Sequence, residues 1–92
     1  HLQRRGREVF LGSTCRVCHA VQGTGAEARL GPDLTHLASR PRIASGARPN
    51  DAENLSAWIL DPQAIKPGAR MPPTQLASQD LSALVAWLRS LR

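Results

Sequence analysis

An all-α domain is what this chain predicts, on three observations. Apolar residues recur at three- and four-residue intervals in its first and last stretches, no segment alternates apolar and polar residues as a half-buried strand would, and glycine and proline clusters divide the periodic segments. Ninety-two residues make a single domain, residues 1–92, and a chain this short buries only about 60% of the surface its unfolded form exposes. The apolar set is Leu, Ala, Val and Ile with three aromatics, Phe10, Trp58 and Trp87, so few large side chains fill the interior. Small domains meet that shortage with disulfides, a structural metal or a partner. The only two cysteines, Cys15 and Cys18, enclose too short a loop to stabilise the fold by cross-linking. A bound cofactor is the expectation.

Each element follows from local pattern. Leu2, Gly6, Val9 and Phe10 fall at i, i+4, i+7 and i+8, which puts them on one face of a first helix ending near Leu11, before Gly12 and Ser13. The cysteines come next, and "QGTGAEARLGP" behind them reads as loop. A short helix is expected from an Asp33 cap through Leu34, Leu37 and Ala38 to a stop at Arg40-Pro41. "RPRIASGARP" reads as an irregular connector. A third helix starts at Asn50, with Glu53 at the capping-box position, and carries Leu55, Trp58 and Ile59 to Asp61-Pro62. Four prolines and Gly68 make residues 62–73 an extended loop, with Met71 near its end. The last helix begins near Ser78 and is the clearest, with Leu81, Leu84, Val85, Leu88 and Leu91 in helical spacing and Trp87 on its flank. Internal repeats are absent.

The formal charge is +5, and eleven of the twelve basic residues are arginine, Lys66 being the exception. Such a balance suits an acidic protein surface or an anionic membrane. The charges are scattered, and no basic run interleaves with aromatics, so nucleic-acid binding is not expected. No apolar run approaches the ~20 residues needed to cross a bilayer. No charged-then-apolar leader opens the chain and its first residue is not methionine. A mature product or a piece of a longer chain is therefore expected, the latter in preference.

The chemistry concentrates in "STCRVCHAV". Cys-x-x-Cys-His is the attachment sequence for c-type haem. Thiols three residues apart on a helical turn, Cys15 and Cys18, project to one side and can add to two vinyl groups on one porphyrin edge, and His19, directly behind, can reach the iron as an axial ligand. A dithiol oxidoreductase would require a βαβ setting that is missing here. Structural zinc requires four ligands, and beyond the motif only His1 and His36 remain to join. Haem would also supply the hydrophobic mass the composition lacks.

Met71 is the only methionine, set in a proline-rich loop with no helical spacing to other apolar residues, which fits core filler poorly and an axial ligand well. His/Met ligation raises the reduction potential and leaves no open position for oxygen or substrate. The expected activity is electron transfer; a gas-binding sensor or enzyme is the alternative if Met71 does not ligate. Arg40, Arg42 and Arg48 are candidates for neutralising the haem propionates.

On these residues the chain resembles class I cytochromes c from Gly6 onward. The resemblance implies a small helical fold wrapped around one covalently attached haem c, with terminal helices packed crosswise through Gly6, Phe10 and Trp87. "LGPDL" is similar to the family's loop after the haem motif, which implies that the Pro32 carbonyl accepts a hydrogen bond from His19 and fixes its tautomer. "KPGARMP" is similar to the methionine loop, and Trp58, thirteen residues before Met71, matches an aromatic lining that side of the haem. His36 is expected to pack or face solvent and not to ligate.

"GPDLTHLASR" and "NLSAWILDPQAIKPGARMP" look like the cytochrome c domain at the C-terminus of subunit II of bacterial haem-copper oxidases. This implies electrons arriving from a quinol-oxidising complex or donor cytochrome and leaving for the dinuclear copper centre of the adjoining copper-binding domain, beside the catalytic subunit. It also implies a periplasmic address and membrane association through parts outside this chain, with a free-standing periplasmic shuttle as the alternative. The family's soluble mitochondrial members carry a lysine ring around the haem edge; with one lysine, this chain departs from that docking pattern.

Overall fold

A computed structural model describes residues 2–92. Its frame is a crossing of the two terminal helices. The first, α1 (Leu2–Gly12), buries Gly6, Val9 and Phe10, and the last, α5 (Ser78–Leu88), buries Ala83, Leu84, Val85, Trp87 and Leu88. A Cβ on Gly6 would overlap the Ala83 carbonyl and come within 2.7 Å of Trp87 Cβ, so the backbones meet only because position 6 carries no side chain. Phe10 is 1% exposed and its ring centre lies 5.2 Å from that of Trp87 at an interplanar angle of 50°. Trp87 is therefore buried in the crossing, not on the flank of the helix as its spacing suggested. At the solvent edge Arg5 Nε donates to Asp80 Oδ1 at 3.1 Å, a bond that raises the arginine's pKa.

A short turn, α2 (Cys15–Cys18), follows the first helix almost at once. The stretch read as plain loop then folds into a small antiparallel hairpin, β1 (Ala20–Val21) with β2 (Ala26–Glu27), Val21 opposite Ala26. The expected helix from Asp33 to Arg40 shrinks to a single 3-10 turn at Leu37–Ser39. The Asp33 carboxylate accepts from the Thr35 hydroxyl at 2.6 Å and from its N–H at 2.9 Å, a local turn that is not continued as an α-helix.

The connector after it is a second hairpin, β3 (Arg42–Ile43) with β4 (Arg48–Pro49), closed by another 3-10 turn at Ala44–Gly46. Strands of two residues are too short to show alternation, which is why the sequence pattern contained no sign of either hairpin.

The third helix, α3 (Ala52–Leu60), buries Leu55 and Ile59 and is capped by Asp51, whose Oδ1 accepts from the Asn54 N–H at 2.8 Å. Asn50, the expected cap, instead donates through Nδ2 to the Leu37 and Arg40 carbonyls, both at 2.9 Å, and so fixes the 3-10 turn to the helix entrance. The proline-rich segment is not wholly extended: Pro62–Ile65 form a further turn, α4, with Pro62 at its first position. Proline suits that position because the N–H it lacks has no partner there anyway. The last helix stops at Leu88, and Leu91 packs on the core from beyond it, its carbonyl accepting from the Ala38 N–H at 2.6 Å.

Candidate cofactor site

Ser13 sets the entrance to the motif. Its hydroxyl donates to the Phe10 carbonyl at 3.2 Å and accepts from the Cys15 N–H at 3.3 Å, which links the end of α1 to the start of α2. The two cysteines are not joined in a disulfide, and both are half-buried, Cys15 packing against the hydrophobic core. The His19 N–H donates to the Cys15 carbonyl at 2.9 Å, and the chain then leaves the turn in extended conformation. His19 itself is buried.

The loop from Leu30 to Thr35 returns over this histidine. The Gly31 N–H donates to the Cys18 carbonyl at 2.6 Å and the Leu34 N–H to the Ala20 carbonyl at 2.8 Å. This brings the Pro32 carbonyl to 2.8 Å from His19 Nδ1. A carbonyl only accepts, so Nδ1 carries the proton and the Nε2 lone pair is left for another partner. Gly31 lies flush against the ring: a Cβ there would overlap Cε1 and approach Nδ1 to 2.7 Å. The ring cannot give way without losing its bond to Pro32. Gly31 was not singled out in the sequence, where "LGP" shows a loop but not which atom it touches.

The same loop is fastened at its far end. Thr35 Oγ1 accepts from the Gln22 N–H at 2.8 Å while donating to Asp33. The Thr35 hydroxyl and then its N–H hold the Asp33 carboxyl below its ordinary pKa, with His36 and Arg40 adding smaller favourable charges. His36 is exposed and its Nδ1 donates to the Arg92 carbonyl at 2.8 Å. Arg40, Arg42 and Arg48 are exposed, and each guanidinium donates to a backbone carbonyl, of Asp33, Gly46 and Ala47 respectively.

Met71 and Trp58 come from a different part of the chain. Both are half-buried and pack against the hydrophobic core that Cys15 and Leu34 also touch. The Thr74 N–H donates to the Ile59 carbonyl at 3.0 Å, which ties the segment after Met71 to the end of α3. An open cleft of about 730 Å³ lies along the first hairpin and includes Gly31, but none of Cys15, Cys18, Trp58 or Met71 lines it. Of the predicted site residues, Cys15, Trp58 and Met71 are partly buried against the core, and His19 is buried.

These residues fit a c-type haem on three counts. Gly31 forms a flat seat for the imidazole, the Nε2 lone pair is available for a metal, and an imidazole and a thioether suit a haem iron while two thiols suit covalent attachment to the porphyrin edge. Among the described residues no three of His, Cys, Asp and Glu gather into a metal-binding cluster, and strands pair only antiparallel. His1, weighed as a zinc ligand, lies outside the described residues. Among those residues, too, no helix is long and apolar enough to cross a membrane.

The family model for cytochrome c matches residues 3–92. The chain is similar to cytochrome c oxidase subunit 2 of Alkalihalophilus pseudofirmus, 47% identical over 92 residues, covering 99% of this chain and 26% of that protein. It is likewise similar to cytochrome c oxidase subunit 2 of Bacillus subtilis, 34% identical over 96 residues, covering 99% of this chain and 27% of that one. The chain thus spans about a quarter of the length of these relatives. Among solved structures it resembles the c-type cytochrome SorU from Sinorhizobium meliloti with a TM-score of 0.67 at 21% identity, over 98% of this chain and 90% of the other, a likeness of fold.

Proposed function

The chain belongs to the cytochrome c family, and on that premise we propose that it is a single-haem electron relay serving a cytochrome c oxidase. Cys15 and Cys18 would hold one haem c through thioether bonds, and His19 and Met71 would ligate its iron. When bound, the haem supplies an iron that takes up and releases one electron at a time. Everything else is done by the chain.

The observation that carries the reading is the Pro32 carbonyl 2.8 Å from His19 Nδ1. It keeps the proton on Nδ1, raises the donor strength of Nε2 and stops the ring from turning. Gly31 beneath the ring and the Thr35 bonds behind it hold that orientation. Met71, in a loop pinned at Thr74, provides a thioether from a segment independent of the histidine. With both ligands fixed, neither has to move when the charge on the iron changes. Trp58, half-buried on the same core, lines the methionine side.

Similarity over nearly the whole chain to a part of two oxidase subunits supports the relay role. Electrons arrive from a quinol-oxidising complex or a donor cytochrome and pass to the dinuclear copper centre of the oxidase. Thioether formation and these partners would both suit a domain on the periplasmic face of the membrane, anchored through other parts of the assembly.

Visible absorption of protein matured with the haem-attachment machinery tests the ligand set. The ferric protein is expected to show the weak near-red band of a sulfur–iron bond, and Met71→Ala to remove it and lower the potential. Rapid carbon monoxide binding by ferrous wild type would instead mean an open position and overturn the closed-site reading.

A further inference from the structure

We propose that Gln63 is a positioning residue for Met71, holding the loop that presents its thioether; the inference rests on Met71 being an axial ligand. The Gln63 carboxamide spans two consecutive backbone groups of that loop. Its Nε2 donates to the Ala69 carbonyl at 2.5 Å and its Oε1 accepts from the Gly68 N–H at 2.8 Å. No other side chain of the described residues is hydrogen-bonded to residues 66–74.

The support is rigid at its base. Pro62, immediately before Gln63, is among the fully buried side chains, and α4 is closed on both sides, by Ala64 N–H to the Asp61 carbonyl at 3.2 Å and Lys66 N–H to the Pro62 carbonyl at 2.9 Å. From there the chain runs through Pro67 and Gly68, and the Ala69 N–H returns to the Lys66 carbonyl at 3.0 Å. Met71 then stands between two fixed points, Ala69 upstream and Thr74 downstream. The downstream side is stiffened by Pro72 and Pro73, whose φ angles are locked. The upstream side has only the turn at Lys66–Ala69 and the Gln63 clamp. Losing the clamp leaves Arg70 and Met71 on a loop whose start is free to shift, so the thioether spends more time away from the iron.

The test uses the haem-loaded domain, with imidazole titrated against the ferric protein as a competitor for the Met71 position. Gln63→Ala is expected to bind imidazole about tenfold more tightly, the ratio that two exposed hydrogen bonds set. Its near-red sulfur–iron band should weaken and its potential should fall. Gln63→Glu keeps an acceptor for the Gly68 N–H and removes the donor to Ala69, and should fall between wild type and alanine. Ser56→Ala removes an equally exposed bond, from Ser56 Oγ to the Ala52 carbonyl on α3, and should leave imidazole affinity unchanged. Unchanged affinity in Gln63→Ala, or an equal rise in Ser56→Ala, would overturn the positioning role. If wild type itself lacks the sulfur–iron band, the Met71 reading fails and this inference fails with it.

Discussion

The crossing of α1 and α5 and the loops around His19 are held together by opposite means. At the crossing, side chains are buried to a few per cent, two aromatic rings pack directly, and the backbone approaches so closely that Gly6 has no room for a methyl group. Around His19 and Met71 the apolar residues are only half-covered, and the loops are fixed by hydrogen bonds between groups far apart in sequence. The first region is complete on its own terms. The second relies on hydrogen-bonded loops to hold partly buried side chains in place.

That contrast predicts that damage to the crossing lowers stability and leaves ligation intact, while damage to the loops does the reverse. The largest effect should come from Phe10→Ala, which leaves a cavity under Trp87 and should cost about 3–5 kcal/mol by urea unfolding. Its sulfur–iron band should survive in the molecules that remain folded. Gly6→Ala should cost about 1–3 kcal/mol, because the Ala83 carbonyl is backbone and cannot step aside cheaply. Again the spectrum of the folded fraction should not change.

Gly31→Ala sharpens the comparison from the other side. Its methyl group presses on the His19 ring, so the ring must turn away from Pro32 or the loop must lift. The expected result is a lower reduction potential or loss of the low-spin spectrum, measured by redox titration, with a smaller change in urea midpoint than either crossing variant. Equal losses of stability in Gly31→Ala and Gly6→Ala, with no spectral change, would erase the distinction between the two regions.

How much of this could be read from residues follows the same division. The crossing is written in helical spacing, so α1, α5 and their apolar faces were legible; spacing alone put Trp87 on the flank, and only the family resemblance set it in the crossing against Phe10, where it lies. The motif Cys15, Cys18 and His19 was legible because local geometry alone dictates the spacing. Pro62 does end α3 as read, but it also opens a turn in the stretch that four prolines made look wholly extended. Gly31 and Gln63 left no trace, since their work depends on contacts with His19 and with the backbone of Gly68 and Ala69. Asn50 was read as the cap of α3; the packing of the 3-10 turn takes it to Leu37 and Arg40 instead, and Asp51 caps the helix.

The smallest expected effect concerns pH. Asp33 has its pKa lowered in the folded protein from an ordinary value of 3.8, chiefly by the Thr35 hydroxyl. A depressed carboxyl pKa stabilises the fold at pH above the unfolded value, and that contribution is lost as pH falls through the folded value. The difference in urea midpoint between wild type and Thr35→Val should therefore be constant at neutral pH and shrink as pH is taken below 3.8. Being exposed, the pair should give a modest difference throughout.

Intact-mass spectrometry of protein matured in a host with the haem-attachment machinery tests the central claim most directly. Wild type should carry the mass of one haem after denaturation, and replacing both Cys15 and Cys18 with serine should leave the bare polypeptide. Bare polypeptide from wild type in that host, or retained haem mass in the double serine variant, would contradict covalent attachment at these two positions.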